Sequence, residues 1–249
     1  MERFLVREHE PKEVIAIVAP HAGYLYSGST AGKTYACSVL PKRLFILCPN
    51  HTGLGQALAV YPSGSWRTPL GDVEVDEQLA KALLDSCPEC QADTMAHLRE
   101  HAVEVQLPFL QVMLDHPAIV PVAVGTHSLV TLQALGRGLA EAIQEAQGQA
   151  AIVVSSDMNH YESASVNRRK DDLALNEIVA LEPERLYNAV MENEITMCGF
   201  GPAVAAIVAA RALGATGADL VDYTHSGMVT QSDAEVVSYA GVRIWRNAE

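Results

Sequence analysis

The chain of 249 residues has no run of the roughly 18 apolar residues that a membrane helix needs, which excludes a helical bilayer span. Basic residues are scarce. Lys and Arg number 17 against 30 Asp and Glu, a formal net charge of −13, so the surface repels a phosphate backbone and argues against nucleic acid as a partner. The one compact basic cluster, Arg168-Arg169-Lys170, runs straight into Asp171-Asp172 and reads as a solvated loop or helix start. Cysteines are few and odd in number, five in all, which points to reduced thiols in a cytoplasm rather than a disulfide framework. The first ten residues are charged and lack the apolar stretch of a secretory signal. Repeats, low-complexity tracts and clear linkers are missing as well. With 49% hydrophobic content, the length fits one large α/β domain or two small ones.

What is present is an alternation of short apolar runs with amphipathic segments. Val14–Ala19, Arg43–Cys48, Ala118–Val124 and Ala151–Ser155 are rich in β-branched residues and bounded by Pro, Gly or polar residues, the pattern of buried strands. Between them, Asp76 caps a predicted helix carrying Leu79, Leu83 and Leu84. A second is predicted from about Glu100 to Leu114, with Pro108 as a kink, and a third follows Ser128. Two more fill residues 171–193 and another starts at Pro202. Late strands are expected near Asp219–Tyr223 and Ala234–Ile244. This order implies a largely parallel sheet with helices on both faces.

Each early strand is followed by a histidine: Pro20-His21, Pro49-Asn50-His51, Thr126-His127, and Asp157-Met158-Asn159-His160. Ligands of open parallel sheets bind beyond the carboxyl ends of the strands, so His21, His51 and His160 are expected at one rim. His127 directly precedes a cap residue and is the weaker candidate. Neutral imidazoles converging at a rim suit a borderline transition metal such as Fe, Cu or Zn. Cys198, in Met197-Cys198-Gly199-Phe200-Gly201-Pro202, lies just ahead of a helix. A helix N-terminus and a nearby cation both favour thiolate, as ligand or as nucleophile.

Three other motifs carry less. Gly28 to Thr34, GSTAGKT, is one residue short of a P-loop and too far from its strand, so its glycines are expected to serve a turn or close helix packing. His97-Leu98-Arg99-Glu100-His101 matches H-x-x-E-H, which on a helix would set two histidines on one face. His101 fits better as an acid/base group near the rim. Cys87-Pro88-Glu89-Cys90 has no second pair to complete a zinc site and reads as a loop closing a helix. His9, His116 and His225 are expected at the surface.

The motifs PHAGYLYSG, LCPNH, RTPLG, REHAVEVQLPFLQ, VVSSDMNHY and CGFGPAV, taken in order, resemble the Memo family, in many prokaryotes the "B" component of the AmmeMemoRadiSam set. The resemblance runs from about Val14 to Val242 and implies a single domain over residues 1–249. It also implies a three-layer α/β/α sandwich similar to the class III extradiol dioxygenases. The family's metal site falls on His21, His51 and Cys198. Its Glu-His pair falls on Glu100-His101, and its Ser-Ser-Asp…His segment on Asp157 and His160, leaving His97 outside the pattern. The dioxygenases use two histidines and a carboxylate, whereas a thiolate stands here, a softer and oxidisable donor. About thirteen residues precede the first strand, fewer than the family usually carries.

The expectation is a cytoplasmic metal-binding protein whose His21, His51 and Cys198 hold iron or copper, or else zinc. His101, Asp157 and His160 line the pocket as acid/base or orienting groups. An oxidoreductase step on a small substrate is the leading activity, and the resemblance implies a functional link to a radical-SAM protein. The alternatives are a non-catalytic peptide-binding or metal-handling module using the same pocket, and zinc-assisted hydrolysis.

Overall fold

The β-branched runs form strands where their composition predicts. In the computed structural model, which describes residues 1–247, the chain opens with β1 (Lys12–Ala19), α1 (Tyr24–Ala36), β2 (Ser38–Val39), β3 (Arg43–Pro49) and β4 (Leu58–Val60). It continues through β5 (Ser65–Thr68), β6 (Gly71–Val75), α2 (Glu77–Ser86), β7 (Gln91–Ala92), α3 (Leu107–Met113), β8 (Ala118–Val124) and α4 (Leu129–Glu145). The last part holds β9 (Ala150–Ser155), β10 (His160–Glu162), α5 (Ala164–Val179), α6 (Pro183–Glu192), α7 (Phe200–Ala212), β11 (Gly217–His225), α8 (Gly227–Thr230) and β12 (Val236–Trp245).

The centre of the sheet is a parallel ladder in the order β1, β9, β3, β8. Antiparallel strands extend it on both sides, β12 and then β11 beside β1, and β4 beside β8. Successive side chains of a strand face opposite ways, and the core divides accordingly. Ile17, Leu44, Ile46, Ala151 and Val153 pack with Ala31 and Tyr35 of α1 and with Leu107, Phe109 and Leu110 of α3. Val18, Phe45, Leu47, Ile152 and Val154 pack against the other face with residues of α2, α4, α5, α6 and α7. The sheet is thus the middle of three layers.

Cap chemistry sets several helix starts. Asp76 accepts from Leu79 N at 2.9 Å, and Ser128 accepts from Thr131 N at 3.4 Å. The helix expected from Glu100 to Leu114 is shorter than its periodicity suggests. Residues 102–106 form turns, and α3 begins only at Leu107. The Glu100 carboxylate accepts from Ala102 N at 3.0 Å and from His51 N at 2.8 Å, which ties this segment to the loop after β3. Pro108 sits in the first turn, where its missing N–H costs nothing, so it starts the helix instead of kinking it. Arg168-Arg169-Lys170 lies on α5, where Arg168 pairs with Asp172 at 2.7 Å.

The GSTAGKT glycines lie inside α1 and make room for the N-terminal segment. A Cβ on Gly28 would stand 3.0 Å from the Phe4 ring, and one on Gly32 would strike the Phe4 carbonyl. Glycine to alanine in a helix ordinarily stabilises by about 1 kcal/mol. Backbone is the obstacle at Gly32, so packing reverses the sign. Gly32→Ala is expected to lower stability by ~1–3 kcal/mol in urea unfolding. A raised midpoint would contradict this packing.

Candidate metal centre

The parallel ladder ends β1, β9, β3 and β8 at one edge, and the chain leaves that edge through the residues singled out above. His21 follows β1 by two positions and His51 follows β3 by two. Their rings lie 5.3 Å apart, edge to face. His101, from the turns before α3, joins them with its ring 5.4 Å from His21 and stacked 5.3 Å from His51. One ligand nitrogen from each of the three lies within 4.8 Å of the others, a spacing that one metal ion can bridge. Cys198 reaches the same place from the turn before α7, with its Sγ 3.4 Å from His21 Nε2.

The hydrogen bonds around His21 fix its tautomer. Ser155 Oγ has one proton and gives it to Ala102 O at 2.6 Å. Gln106 Nε2 faces Ala19 O and Pro20 O, so it is the amide nitrogen, and it donates to Ser155 Oγ at 2.8 Å. The 3.0 Å bond between Ser155 Oγ and His21 Nδ1 therefore has the imidazole as donor. Nε2 keeps its lone pair and faces Cys198. At His51 the ring Nδ1 donates to Glu100 Oε1 at 2.9 Å, so Nε2 is the nitrogen left to bind an ion once it gives up its proton. A carboxylate or hydroxyl behind a ligating imidazole is the usual arrangement at metal centres.

Burial and charge divide the roles further. His21 is 3% exposed, and burial lowers its pKa to about 4 against the pull of Asp157, so it is neutral at pH 7 as a ligand must be. Glu100 is held down to about 2 in spite of burial, because the His51 ring and the backbone N–H groups of His51 and Ala102 all donate to it. The same contact raises His51. Burial pushes the Cys198 thiol up to about 12, with Asp157 adding to the effect. A cation at the site would offset that cost and favour thiolate.

The other predicted residues are placed as follows. Asp157 is a backbone clamp. Its Oδ1 accepts from His21 N at 2.8 Å and Ala22 N at 3.2 Å, and its own N–H points at Cys198 Sγ at 3.2 Å. His160 opens β10, and its Nδ1 donates to Thr196 O at 2.8 Å. It is not one of the three clustered histidines. His127 packs on Phe200, ring centres 5.0 Å apart. His97 is buried under Tyr61 and Trp66 with Nε2 donating to Ala59 O at 3.1 Å, so H-x-x-E-H neither forms a helix nor brings its histidines together. Cys87 and Cys90 are free thiols at the end of α2, in contact at 2.8 Å. His225 is only 16% exposed at its side chain, more covered than a surface role suggests. Ser155 and Gln106, which orient His21, escape a reading from sequence. The serine lies within the strand run, and nothing local marks the glutamine.

The fold and this histidine cluster define an α/β protein with a candidate metal centre at the strand rim. The Memo-like protein family model matches residues 1–243. The chain is 43% identical to a MEMO1 family protein of Aquifex aeolicus over 94% of this chain and 88% of that one. It is 40% identical to a MEMO1 family protein of Methanothermobacter thermautotrophicus, over 92% of this chain and 84% of the relative. A Methanopyrus kandleri member is also 40% identical, over 93% of this chain and 83% of its own. The chain belongs to the Memo family.

The depressed pKa values of His21 and Glu100 act in the same sense. Each stabilises the metal-free protein above its ordinary unfolded value and loses that contribution as pH falls through its folded value. His51, raised, does the opposite and stabilises below its ordinary value. Between pH 6.5 and about 4, His21 takes up its proton only on unfolding, which is expected to remove up to about 3 kcal/mol of stability. Denaturant midpoints of metal-free protein should fall across that window, and His21→Gln should flatten the slope. An equal slope in the variant would rule out His21 as the titrating group.

Proposed function

We propose that the protein is a metal-binding oxidoreductase of the Memo family, in which His21, His51 and Cys198 hold a redox-capable ion, iron or copper. The observation that carries this is the pair of imidazoles whose Nδ1 protons are committed to Ser155 and Glu100, with the free His21 Nε2 3.4 Å from the Cys198 sulfur. Two neutral nitrogens and a thiol make a soft, mixed donor set that suits Fe, Cu or Zn better than Mg or Ca. When bound, such an ion supplies Lewis acidity and, for iron or copper, electron transfer.

The chain's own groups supply the rest. Glu100 and Ser155 hold the two imidazoles in one tautomer and orientation. Asp157 fixes the backbone of His21 and Ala22. His101 is the exposed member of the cluster and is the group placed to move a proton to or from a small substrate. His160, with Nδ1 bonded to Thr196 O, offers Nε2 as a second acid/base or orienting group. A radical-SAM protein is the functional partner that the family resemblance supports. Among the described residues no helix is long and apolar enough to cross a membrane.

The grouping of His101 with His21 and His51 favours a second ligand assignment, with three histidines and Cys198 outside. Metal content of anaerobically purified protein separates the two. Under the proposal His21→Ala and Cys198→Ser lose the ion, while His101→Ala keeps it and loses turnover. Retention in Cys198→Ser with loss in His101→Ala would move the third ligand to His101. Oxygen uptake by the iron-loaded protein with a panel of catechols tests the activity. Silence across the panel would leave a metal-handling module, and zinc as the only retained metal would favour hydrolysis.

A further inference from the structure

The turn that carries Asp157 and His160 and the turn that carries Cys198 belong to different parts of the chain, yet one buried side chain joins them. Asn159 is fully buried and uses its entire hydrogen-bonding capacity. Its Nδ2 donates to Glu162 Oε2 at 2.6 Å and to Asn167 Oδ1 at 2.8 Å. Its Oδ1 accepts from Thr196 N at 2.8 Å and from Thr196 Oγ1 at 3.0 Å. A carboxylate on one side and a backbone N–H on the other leave the amide only one orientation.

Thr196 passes this constraint outward. Its Oγ1 accepts from His160 N at 2.8 Å, and its carbonyl accepts from the His160 ring. Two residues on stands Cys198, met by Asp157 N, and Gly199 N donates to Ser156 Oγ at 2.9 Å. Behind Asn159 the network is anchored in the interior. Asn167 Nδ2 shares its two protons among Asn159 O, Val236 O and Ser238 Oγ. Asp171 accepts from Asn159 N at 2.9 Å, from Ser238 Oγ and from Tyr223 OH at 2.7 Å. A buried polar network with every member satisfied rigidifies what it touches.

We infer that Asn159 is a positioning residue for the metal centre: through Thr196 it locks the Cys198 turn against the Asp157–His160 turn and so sets the sulfur relative to His21. This rests on the reading of His21, His51 and Cys198 as ligands. The Asn159 side chain bonds to Glu162, Asn167 and Thr196 and to none of the three ligands, so its effect runs through the relative placement of two turns. Partners of this kind change metal affinity by ~10–100-fold when removed.

The test loads Asn159→Ala, Thr196→Val, Thr196→Ser and Tyr223→Phe with cobalt(II). It reads affinity by chelator competition, thiolate-to-cobalt charge-transfer absorption, and thermal unfolding. Asn159→Ala is expected to bind cobalt ~10–100-fold more weakly with a reduced or shifted thiolate band. Thr196→Val, at an exposed position, should weaken binding in the same direction, and Thr196→Ser should restore it by keeping the hydroxyl. Tyr223→Phe removes one bond at the far end of the network and should lower stability without moving the band. Wild-type affinity and band in folded Asn159→Ala overturn the inference. If that variant does not fold, an unchanged Thr196→Val does so, as does a Tyr223→Phe that loses affinity equally. A wild-type protein that binds cobalt without any thiolate band instead removes Cys198 from the ligand set, a distinct result that fails the underlying reading.

Discussion

The parallel register of β1, β9, β3 and β8 is the constraint on which the site depends. Evenly spaced ladder hydrogen bonds bring the four strands to one edge at nearly the same height, and each strand leaves its following residues there. His21 and His51 come from the outer and third strands of that ladder, while Ser155 and Asp157 come from the strand between them. The close contacts of His21 to Ser155 and Asp157 are then contacts between neighbouring strand ends and need no long loop to fold back. The loops that do contribute, at residues 101–106 and 196–199, are stitched to the ladder by Gln106 and by Ser156.

Electrostatics works within that frame. Glu100 and Asp157 are nearly buried carboxylates whose oxygens are met mainly by backbone N–H groups and one imidazole. These donors offset the cost of removing the charges from water. Under the proposed metal reading, a divalent cation would balance the anionic Glu100 behind His51, beside the neutral His21 imidazole and the Cys198 thiol. That reading gives the buried polar groups a common role as the surroundings of a cation.

Local rules were enough for the centre of the sheet and its two late strands, while the short strands β2, β4, β5, β6, β7 and β10 were not anticipated. The four apolar runs become strands within about two residues at either end, because β-branched residues bounded by turn formers have few other uses. His21 and His51 were legible for the same reason, position after a buried strand, whereas His160 and His127 lie outside the cluster. The Glu100–Leu114 segment misleads because its 3.6-residue periodicity spans two pieces, turns that bury Val103 and then α3 from Leu107, while the Glu100 carboxylate faces the backbone of His51. H-x-x-E-H fails alongside it, since His97 faces inward to Ala59 O. His101 reaches the cluster itself, closer than its expected place beside the rim, and no periodicity shows that. Gln106 and Asn159 lay beyond a sequence reading because their decisive hydrogen bonds reach residues 37 to 87 positions away.

The central claim is a mixed imidazole–thiolate site, and X-ray absorption of anaerobic, metal-loaded protein reports the donor atoms directly. The proposed ligand set of His21, His51 and Cys198 predicts one sulfur at about 2.3 Å together with two imidazole nitrogens around the ion. A coordination shell of nitrogen and oxygen alone, with no sulfur, would contradict it.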